Sequence, residues 1–539
     1  MASSGRNLDF DVAIVGYGPV GQALAALLGR AGHRVGAFER FQEIYRLPRA
    51  VHLDHEIMRL LQTLELAEVL AEEMIPVHDY QWFGADGESL MRFETQGPAR
   101  SGWETDYMFF QPELERAIDR HACGLPGVSV ERGWEATGLV DRDEGIELTL
   151  RRVEGEEGGL ALAGDTRTVR ARWLVGADGA NSFVRETTGI TRRDLGFQER
   201  WLVVDAEPHD MGALAHLPIA SQRCDPKRPT TVVQSGPRHR RWEFMLLPDE
   251  QPSDFEDPDR VWSLLEPWYA PEDGPLTRSA VYEFRSVLAN QMRKGHVLLV
   301  GDAAHLTPPF LGQGLCSGLR DAANLAWKLD LVLRGLAGER LLDSIDPERQ
   351  PQNEAVIGLA VELGKVLCQL DPQAAAERDA VLRQAEPPPP PELAPLTGGA
   401  IHRPVGGDAD PLAGTLSVQG VVSQAGREGR FDDVAGPGFQ LIVADGDPLE
   451  QLSREQRALI DTLDTTLASL DTDAPHGVRD VDGRLTAWLS EHGTYAVLVR
   501  PDFYVFGSAC TPEQLPALLD DLRTQLNITP TPATTGAIP

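Results

Sequence analysis

The first forty residues alternate between short apolar runs and one helical pattern. DVAIV (11–15) and RVGAF (34–38) are compact apolar runs typical of buried strands, and QALAALLGRAG (22–32) between them has helical character. A strand, a helix and a second strand in this order predict a βαβ unit, whose two strands lie parallel in one sheet.

Two later apolar strands also run into glycine turns. ARWLVGADG ends at Gly179, and HVLLVGDAAH ends at His305. Because these junctions resemble the first one but lie far apart in the chain, they predict a single, discontinuous nucleotide-binding domain. From Cys316 to Gly335 the apolar positions step by three and four, which predicts a long helix.

A second set of β-like stretches predicts a separate sheet that forms the wall of a substrate chamber. After the proline run EPPPPPEL (386–393), strand and helix patterns predict a small α/β domain, and the tail ITPTPATTGAIP is predicted to be disordered. The chamber strands are predicted at 202–208, 230–236, 241–248 and 281–289, and the last domain's strands at 439–445, 495–502 and 504–508, with helices at 452–467 and 511–526.

Composition narrows the function classes. The chain has 539 residues and 42% hydrophobic residues, enough for two or three packed domains. A net charge of −32 disfavours nucleic acid and anionic membranes as partners. The five cysteines form no CxxC pair, so neither a disulfide framework nor a metal site is expected. No apolar signal region or membrane-spanning run is seen, and a cytoplasmic location is expected.

Gly16, Gly18 and Gly21 form a GxGxxG pattern between the first strand and the first helix. The first glycine permits a tight turn, the second a close backbone approach to a pyrophosphate, and the third close packing of helix on strand. The helix N-terminus offers free N–H groups to the phosphates. Glu39 ends the second strand, where a carboxylate can accept hydrogen bonds from ribose hydroxyls.

Three ordered motifs carry a resemblance to a known family. GxGxxG, GADGANSFVR (176–185) and GDAAHLTPPFLGQG (301–314) resemble the motifs of the group A FAD-dependent aromatic hydroxylases, of the para-hydroxybenzoate hydroxylase type, over residues 8–385. RDAANLAWKLDLVLRG and DPERQPQN resemble the 3-(3-hydroxyphenyl)propionate hydroxylase branch. Ile345 departs from the pattern, since relatives often carry tyrosine there.

The resemblance implies an α/β fold with a discontinuous Rossmann-like FAD-binding domain, an inserted β-sheet substrate domain and a C-terminal thioredoxin-like domain without the redox CxxC. It implies FAD-binding segments at 8–75, 105–190 and 285–385 (the last with a helical region), substrate-domain segments at 76–104 and 191–284, a proline-rich linker at 386–398, the thioredoxin-like domain at 399–528 and the disordered tail at 529–539.

The resemblance also implies the cofactors and most of the site. FAD would be the bound cofactor, NADH or NADPH the reductant and O₂ the oxidant, with a phenolic ring hydroxylated through a flavin C4a-hydroperoxide. Asp178 and Gly179 would serve both FAD and the reductant. The cofactor-binding residues implied are Gly16, Gly18, Pro19, Val20, Gly21, Glu39, Arg40, Arg49, Gln111, Asp178, Gly179, Gly301, Asp302, Pro309, Gly312, Gly314 and Leu315.

His52 and Asp54 are the candidates for phenol deprotonation, because both follow Arg49 near the expected flavin. Asp54 has an alternative interpretation as the N-cap of HEIMRLLQTL. His305 could act on flavin or substrate, or hold the loop by a structural hydrogen bond. Cys316 could be a reactive thiol at a helix start, or a small packing residue.

Arg238, Arg240 and Arg241, with His239, form a basic cluster that either receives an anionic group or is a solvated hairpin end. Tyr107, Trp82, Phe109 and Phe110 either line an aromatic pocket or belong to the core.

The leading hypothesis is a hydroxylase of a small aromatic substrate such as 3-(3-hydroxyphenyl)propionate. A tailoring hydroxylase of a polyketide or another natural-product aromatic, or a flavin-binding protein without hydroxylase activity, are the alternatives. A homodimer is compatible with the sequence.

Overall fold

The computed structural model describes residues 8–155, 161–386, 393–404 and 409–528. Most of the predicted proline run, 387–392, and the predicted disordered tail, 529–539, lie outside the described residues. The chain divides into two compact units. The first comprises Met1–Ala99, Trp103–Ala322 and Gln352–Ala394, and the second Arg100–Gly102, Ala323–Pro351 and Pro395–Pro539.

The predicted βαβ unit lies at the centre of the first unit's first sheet. Phe10–Val15 pairs in parallel with both Val35–Glu39 and Ala161–Gly176. The interior of Phe10–Val15 is fully buried, as expected of a central parallel strand. Across the described part of this sheet the order is Arg293–Lys294, Val297–Leu299, Ala161–Gly176, Phe10–Val15, Val35–Glu39 and Val128–Arg132. Gly145–Glu154 pairs antiparallel with Ala161–Gly176, and Trp134–Arg142 pairs antiparallel with Gly145–Glu154.

The predicted separate sheet is confirmed and is mostly antiparallel. Two of its strands, Arg192–Ala206 and Leu276–Ala289, begin earlier than the apolar runs that predicted them, because the pairing continues through polar residues. Among the described residues its order is His305–Leu306, Leu276–Ala289, Arg192–Ala206, His239–Met245, Thr230–Ser235, Ala220–Arg223, Asp79–Phe83 and Ser89–Glu94.

A small sheet and several helices complete the first unit. His52–Asp54 and Ile75–Pro76 both pair antiparallel with Asp106–Met108. The helices of this unit are Pro19–Arg30, His55–Thr63, Ala67–Ala71, Gln111–Cys123, Phe183–Thr188, Pro258–Leu265 and Pro372–Leu382, and the longer helices Gly314–Leu333 and Ile345–Leu367 have one part in each unit.

The second unit contains a four-stranded sheet in the described residues, in the order Thr466–Ser469, Gln440–Val443, Ala496–Val499, Val505–Ala509. The first two strands are parallel and the other pairings antiparallel. The helix predicted over 452–467 was wrong at its end, because 466–469 pairs as a strand with Gln440–Val443. The unit also has a small sheet of Arg427–Arg430, Val421–Gln424 and Arg479–Asp480, and the helices Phe431–Val434, Arg454–Thr462, Arg484–Glu491 and Leu515–Gln525.

A buried network of charges lies inside the second unit. Glu348 is fully buried and accepts hydrogen bonds from Lys328 at 2.8 Å, Asn324 at 2.6 Å and Arg500 at 2.7 Å. Asp502 accepts from Arg500 and, at 2.9 Å, from Asn324. Two cations thus meet two anions, which is what makes the burial of all four groups tolerable.

None of the helices in the described residues is long and apolar enough to cross a membrane.

Candidate active site

The glycine turn after the first strand is enforced by close backbone contacts. Gly16 has a φ of 92°, and a Cβ atom there would lie 2.4 Å from the carbonyl oxygen of Ala177. A Cβ atom at Gly21 would lie 2.2 Å from the carbonyl oxygen of Gly16. Both positions therefore require glycine for packing alone.

Gly18 differs from its two neighbours, because its Cβ position meets no atom within 4 Å. It is the N-cap of the helix Pro19–Arg30, makes no side-chain cap hydrogen bond, and is followed by proline at the first helical position. Free N–H groups at a helix start, with open space above a glycine, fit the pyrophosphate of FAD. Val20, on this first turn, lies 3.2 Å from the Cβ position of Gly301, which joins the first and third motifs.

Glu39 stands at the predicted strand end but is already engaged with the backbone. Its carboxylate accepts from Tyr17 N–H at 2.8 Å and from Phe41 N–H at 3.0 Å. It thereby holds the glycine turn, and a carboxylate with two acceptor oxygens retains lone pairs for ribose hydroxyls. Arg40 is exposed and lies 4.9 Å from the Phe41 ring centre.

The Arg49 segment is held by its backbone. Gln111 accepts hydrogen bonds from the N–H groups of Arg49 at 2.8 Å and Ala50 at 2.7 Å. Arg241 donates to the carbonyl oxygens of Arg49, at 2.9 Å, and Pro48. The Arg49 guanidinium itself is exposed and lies 4.8 Å from the Tyr45 ring centre, so the loop is fixed while its charge stays accessible.

A buried carboxylate connects this segment to the glycine turn. Glu115 accepts from Gln111 at 2.7 Å and from Gln22 at 3.4 Å, and Gln22 also donates to the carbonyl oxygen of Tyr17. Burial raises the pKa of Glu115 to about 7, although the Gln111 hydrogen bond and the charge of Arg49 act in the opposite direction.

Glu115 is expected to make stability depend on pH. With a folded-state pKa of about 7 and an ordinary value of 4.5, the folded protein holds a proton that the unfolded chain has released, so this contribution to stability is lost as pH rises through this range. The loss should approach about 3 kcal/mol above pH 7. Glu115→Gln should flatten the fall in thermal unfolding midpoint between pH 5 and 8.

The matched control for that measurement is Glu113→Gln on the same helix. Glu113 is partly exposed and pairs with Arg116 at 2.7 Å. It should leave the pH dependence unchanged, and a Glu115→Gln protein with the wild-type slope would contradict the prediction.

The second motif forms a compact turn at the end of Ala161–Gly176. Asp178 accepts from Ser182 Oγ at 2.5 Å and from Val184 N–H at 3.0 Å, and burial raises its pKa. Gly179 has a φ of 79° and open space at its Cβ position. Arg185, almost fully buried, donates to the carbonyl oxygen of Ala303 at 3.0 Å, which ties this motif to the third.

The third motif presents Asp302 beside the Arg49 segment. The Asp302 side chain is exposed, yet the protein around it partly desolvates the carboxyl and raises its pKa. The charges of His305 and Arg49 partly offset this effect. A carboxylate in this place fits a ribityl hydroxyl of FAD.

His305 points inward from the same motif. It is buried and shares a hydrogen bond of 2.6 Å with Asp321, which also accepts from Gly301 N–H at 3.0 Å. These contacts support the structural interpretation of His305, which holds the motif in shape.

The expected flavin loop lies next to His52. Gly312 has a φ of 66°, and a Cβ atom there would lie 2.8 Å from the His52 ring. Pro309 begins the short turn Pro309–Leu311 before it, and Gly314 and Leu315 open the helix Gly314–Leu333, half-buried. The loop thus leads directly into a helix start, whose N–H groups can face a ligand.

Both ring nitrogens of His52 have partners. Nε2 lies 2.7 Å from Asp106 and Nδ1 lies 3.2 Å from the carbonyl oxygen of Gly312. Burial lowers the pKa of His52, but the hydrogen bond and charge of Asp106 outweigh it and raise the pKa well above its usual value. The imidazolium so favoured donates at both nitrogens and anchors the flavin loop.

Asp54 caps the helix His55–Thr63, accepting from Glu56 N–H at 3.1 Å and Ile57 N–H at 3.2 Å. It also pairs with Arg320. Burial opposes ionisation, but the charge of Arg320 dominates and holds the pKa of Asp54 well below its usual value. These contacts favour the capping interpretation over proton transfer. Cys316 is fully buried, and this burial raises the pKa of its thiol, which favours the packing interpretation.

The residues of the basic cluster point in different directions. Arg238 is exposed and near Glu73, and Arg240 donates to the carbonyl oxygen of Pro218. Arg241 is buried and bound to Asp205 at 2.7 Å. They therefore do not form a shared anion site.

The aromatic candidates are largely core. Trp82 and Phe109 are almost fully buried, and Tyr107 is buried too. Phe110 stacks on His239 with ring centres 3.8 Å apart.

Several site residues had no signal in the sequence. Asp106 and Arg320 gain their roles only by lying next to His52 and Asp54 across 54 and 266 positions of the chain. Glu115 could have been noticed as a charge on the inner face of the helix Gln111–Cys123, four residues from Gln111.

Comparisons with known proteins agree with this geometry. The FAD binding domain family matches residues 9–360, and the HcaD C-terminal domain family matches residues 414–525. A probable NADH-specific resorcinol 4-hydroxylase of Rhodococcus jostii is 39% identical over 522 residues, covering 95% of this chain and 94% of that protein. The chain belongs to the FAD-dependent aromatic hydroxylases. The resemblance inferred from the three motifs is confirmed.

Other relatives of this FAD-dependent aromatic hydroxylase extend the comparison. A 3-(3-hydroxy-phenyl)propionate/3-hydroxycinnamic acid hydroxylase of Burkholderia cenocepacia is 32% identical over 527 residues, covering 94% of each chain. The flavin-dependent monooxygenase PieE, solved with FAD and substrate, has a TM-score of 0.79 at 22% identity, covering 97% of this chain and 100% of that chain. Aklavinone-11 hydroxylase has a TM-score of 0.74 at 24% identity, with the same coverage. The two structures show the shared fold.

Proposed function

We propose that this protein hydroxylates a phenolic ring in a single polypeptide that uses FAD, NADH and O₂. One observation carries the proposal: the flavin loop lies directly against an aromatic face of the second sheet. Phe310, two residues before Gly312, lies 5.7 Å from Trp201 and 6.4 Å from Phe284, measured between ring centres. The loop proposed to line the flavin ring therefore packs on the second sheet, as expected if that sheet bounds the substrate site beside the flavin.

The residues proposed to hold FAD lie in the three motifs and the two segments packed on them. Gly18 and the helix start would receive the pyrophosphate, Glu39 a ribose and Asp302 the ribityl chain. Redox chemistry belongs to the flavin, which supplies hydride acceptance and oxygen activation when bound. The full proposed set is Gly16, Gly18, Pro19, Val20, Gly21, Glu39, Arg40, Arg49, Gln111, Asp178, Gly179, Gly301, Asp302, Pro309, Gly312, Gly314 and Leu315.

The protein's own groups would hold the flavin loop in place. Trp201 and Phe310 are almost fully buried and form, with Phe284, an apolar core that fixes the loop on the second sheet. His52 would keep the flavin loop in place through the carbonyl oxygen of Gly312. NADH rather than NADPH is the proposed reductant, because the Rhodococcus relative is named as NADH-specific.

A monocyclic phenol is the proposed substrate group. The two curated relatives named above carry resorcinol and 3-(3-hydroxyphenyl)propionate in their names, and the chain aligns with almost all of each. The two solved relatives, one of them in complex with aklavinone, share the fold at under 25% identity, which does not bear on the substrate.

The test is NADH and NADPH oxidation by the FAD-loaded protein, with and without resorcinol or 3-(3-hydroxyphenyl)propionate, with product masses recorded. Strong stimulation with NADH and a product one oxygen atom heavier is expected. Stimulation without an oxygenated product would show an uncoupling mimic, and no response to any monocyclic phenol would overturn the substrate group.

We further propose that 399–528 is a thioredoxin-like domain with a structural role. The support is its β–α–β–α–β–β–α order, with Thr466–Ser469 at one sheet edge, Val505–Ala509 at the other and a single antiparallel strand, Ala496–Val499, inside. The homodimer and the segment boundaries predicted from the sequence stay predictions.

A further inference from the structure

One face of the second sheet carries a buried carboxylate that the site described above does not use. Glu243 lies opposite Val203 on one neighbouring strand and opposite Thr231 on the other. Side chains opposite each other on adjacent strands share a face. Two residues further along, Met245 lies opposite Trp201, so Glu243 shares a face of the sheet with Trp201.

This face looks toward the flavin site at both ends. At one end Trp201 contacts Phe310 of the flavin loop. At the other end Arg241, two residues before Glu243, donates to the carbonyl oxygen of Arg49 at 2.9 Å. Glu243 therefore lies on the sheet between two segments proposed to contact the cofactor.

Glu243 is only 8% exposed, yet it is weakly partnered. Within the described chain, its one ion pair is with Arg241 at 3.6 Å, beyond ordinary hydrogen-bond distance. A buried carboxylate whose single ion pair is this long is costly, which makes Glu243 a candidate for contact with a ligand. Burial raises the pKa of Glu243, and the charge of Arg241 opposes the shift.

The cations facing Glu243 are already neutralised. Arg241 and Arg278 both bind Asp205, each at 2.7 Å. With Glu243 included, two guanidinium groups face two carboxylates. Tyr80, also near Glu243, receives a hydrogen bond from Gln222 at 2.7 Å. Among the described groups on this face, no arginine is left over to receive a substrate carboxylate.

We propose that Glu243 is a specificity-determining residue that accepts a hydrogen bond from a hydroxyl group of a neutral phenolic substrate and disfavours substrates with a carboxylate side chain. This inference rests on the proposed phenol hydroxylation and names the substrate class for it. A carboxylate forms a strong hydrogen bond with a hydroxyl donor, whereas it would repel a second carboxylate beside it in a site of low dielectric constant.

The experiment compares wild type, Glu243→Gln and Glu243→Asp with resorcinol and with 3-(3-hydroxyphenyl)propionate. Dissociation constants come from the change in flavin absorbance on titration, and KM and kcat from product formation. Glu243→Gln should bind resorcinol about 10- to 100-fold more weakly, while Glu243→Asp should retain part of the affinity. The ratio of resorcinol to 3-(3-hydroxyphenyl)propionate affinity should fall by at least about tenfold in Glu243→Gln.

Glu283→Gln is the control, because Glu283 is exposed on the strand Leu276–Ala289 of the same sheet, opposite Arg200. It should leave both affinities, FAD content and substrate-free NADH oxidation unchanged. Unaltered FAD content and unfolding midpoint in Glu243→Gln and Glu243→Asp would show that the loss is not one of folding.

Equal affinity of wild type and Glu243→Gln for resorcinol would overturn the inference, as would wild-type preference for 3-(3-hydroxyphenyl)propionate. The binding titration does not depend on turnover. A wild type that binds resorcinol through Glu243 but oxygenates no phenol would refute the proposed function and leave the assignment of Glu243 standing.

Discussion

Gly16→Ala should yield protein without bound FAD and with a markedly lower unfolding midpoint. The backbone at Gly16 has a φ of 92°, which costs an alanine on the order of 1–2 kcal/mol. Its Cβ atom would also lie 2.4 Å from the carbonyl oxygen of Ala177, 2.6 Å from that carbonyl carbon and 2.7 Å from Asp178 Cα. Because all three are backbone atoms, the first and second motifs must separate.

Substitutions at two other glycines separate the backbone strain from the loss of FAD binding. Gly32 has a similar φ of 87° but nothing within 4 Å of its Cβ position, so Gly32→Ala should show the backbone strain alone and keep FAD. Gly18 has a φ of −74° and open space, so Gly18→Ala should fold with stability within about 0.5 kcal/mol of wild type. It should nevertheless bind FAD at least about tenfold more weakly, because its methyl group would occupy the phosphate site.

Thermal unfolding of the FAD-free proteins and titration with FAD measure the two parts separately. Gly18→Ala protein with wild-type FAD affinity would show that the pyrophosphate does not pass over this residue. Gly16→Ala protein as stable as Gly32→Ala protein would show that the close contact with Ala177 relaxes freely.

Glu348→Gln should destabilise the second unit by about 3–5 kcal/mol. The Glu348 carboxylate is fully buried, and one of its oxygens accepts from Lys328, Asn324 and Arg500 while the other accepts from Ala400 N–H at 2.8 Å. A glutamine amide has one acceptor oxygen, so its NH₂ group must face a donor. Lys328 and Arg500 would then be left with Asp502 as their single counter-charge.

Deprotonation of Lys328 should reduce the stability lost in Glu348→Gln. Burial already lowers the pKa of Lys328 to about 8, although the charge of Glu348 raises it. Without that charge the pKa should fall further, and Lys328 should release its proton at neutral pH. The loss of stability in Glu348→Gln should therefore be greater at pH 6 than at pH 8. At pH 6 the buried Lys328 stays protonated without the counter-charge of Glu348.

Hydrogen exchange in peptides from 440–509 would report this change locally, with FAD release as a separate readout of the first unit. Glu354→Gln is the matched control on the same helix, since Glu354 is exposed and pairs with Arg193 at 2.8 Å. It should change stability by no more than about 0.5 kcal/mol. Equal protection in Glu348→Gln and wild type would contradict the prediction.

The cofactor motifs could be identified before the fold was known, because their physical requirements are local. A tight turn, a helix start and a strand end lie within a few residues of each other, so Gly16, Gly18, Gly21 and Glu39 could be identified from their spacing. The buried strand Phe10–Val15 was equally readable, since a central parallel strand is apolar throughout.

The partners of the site residues depend on the tertiary fold and could not be predicted. His52 meets Asp106 and Asp54 meets Arg320 through strand pairing and helix packing, and neither leaves a periodic trace in the chain. The strand Thr466–Ser469 was hidden in a helical pattern, because pairing with Gln440–Val443 outweighs local propensity. Glu243 lies beside Trp201 on one face only because the register of adjacent strands places them there, and register is a property of the folded sheet.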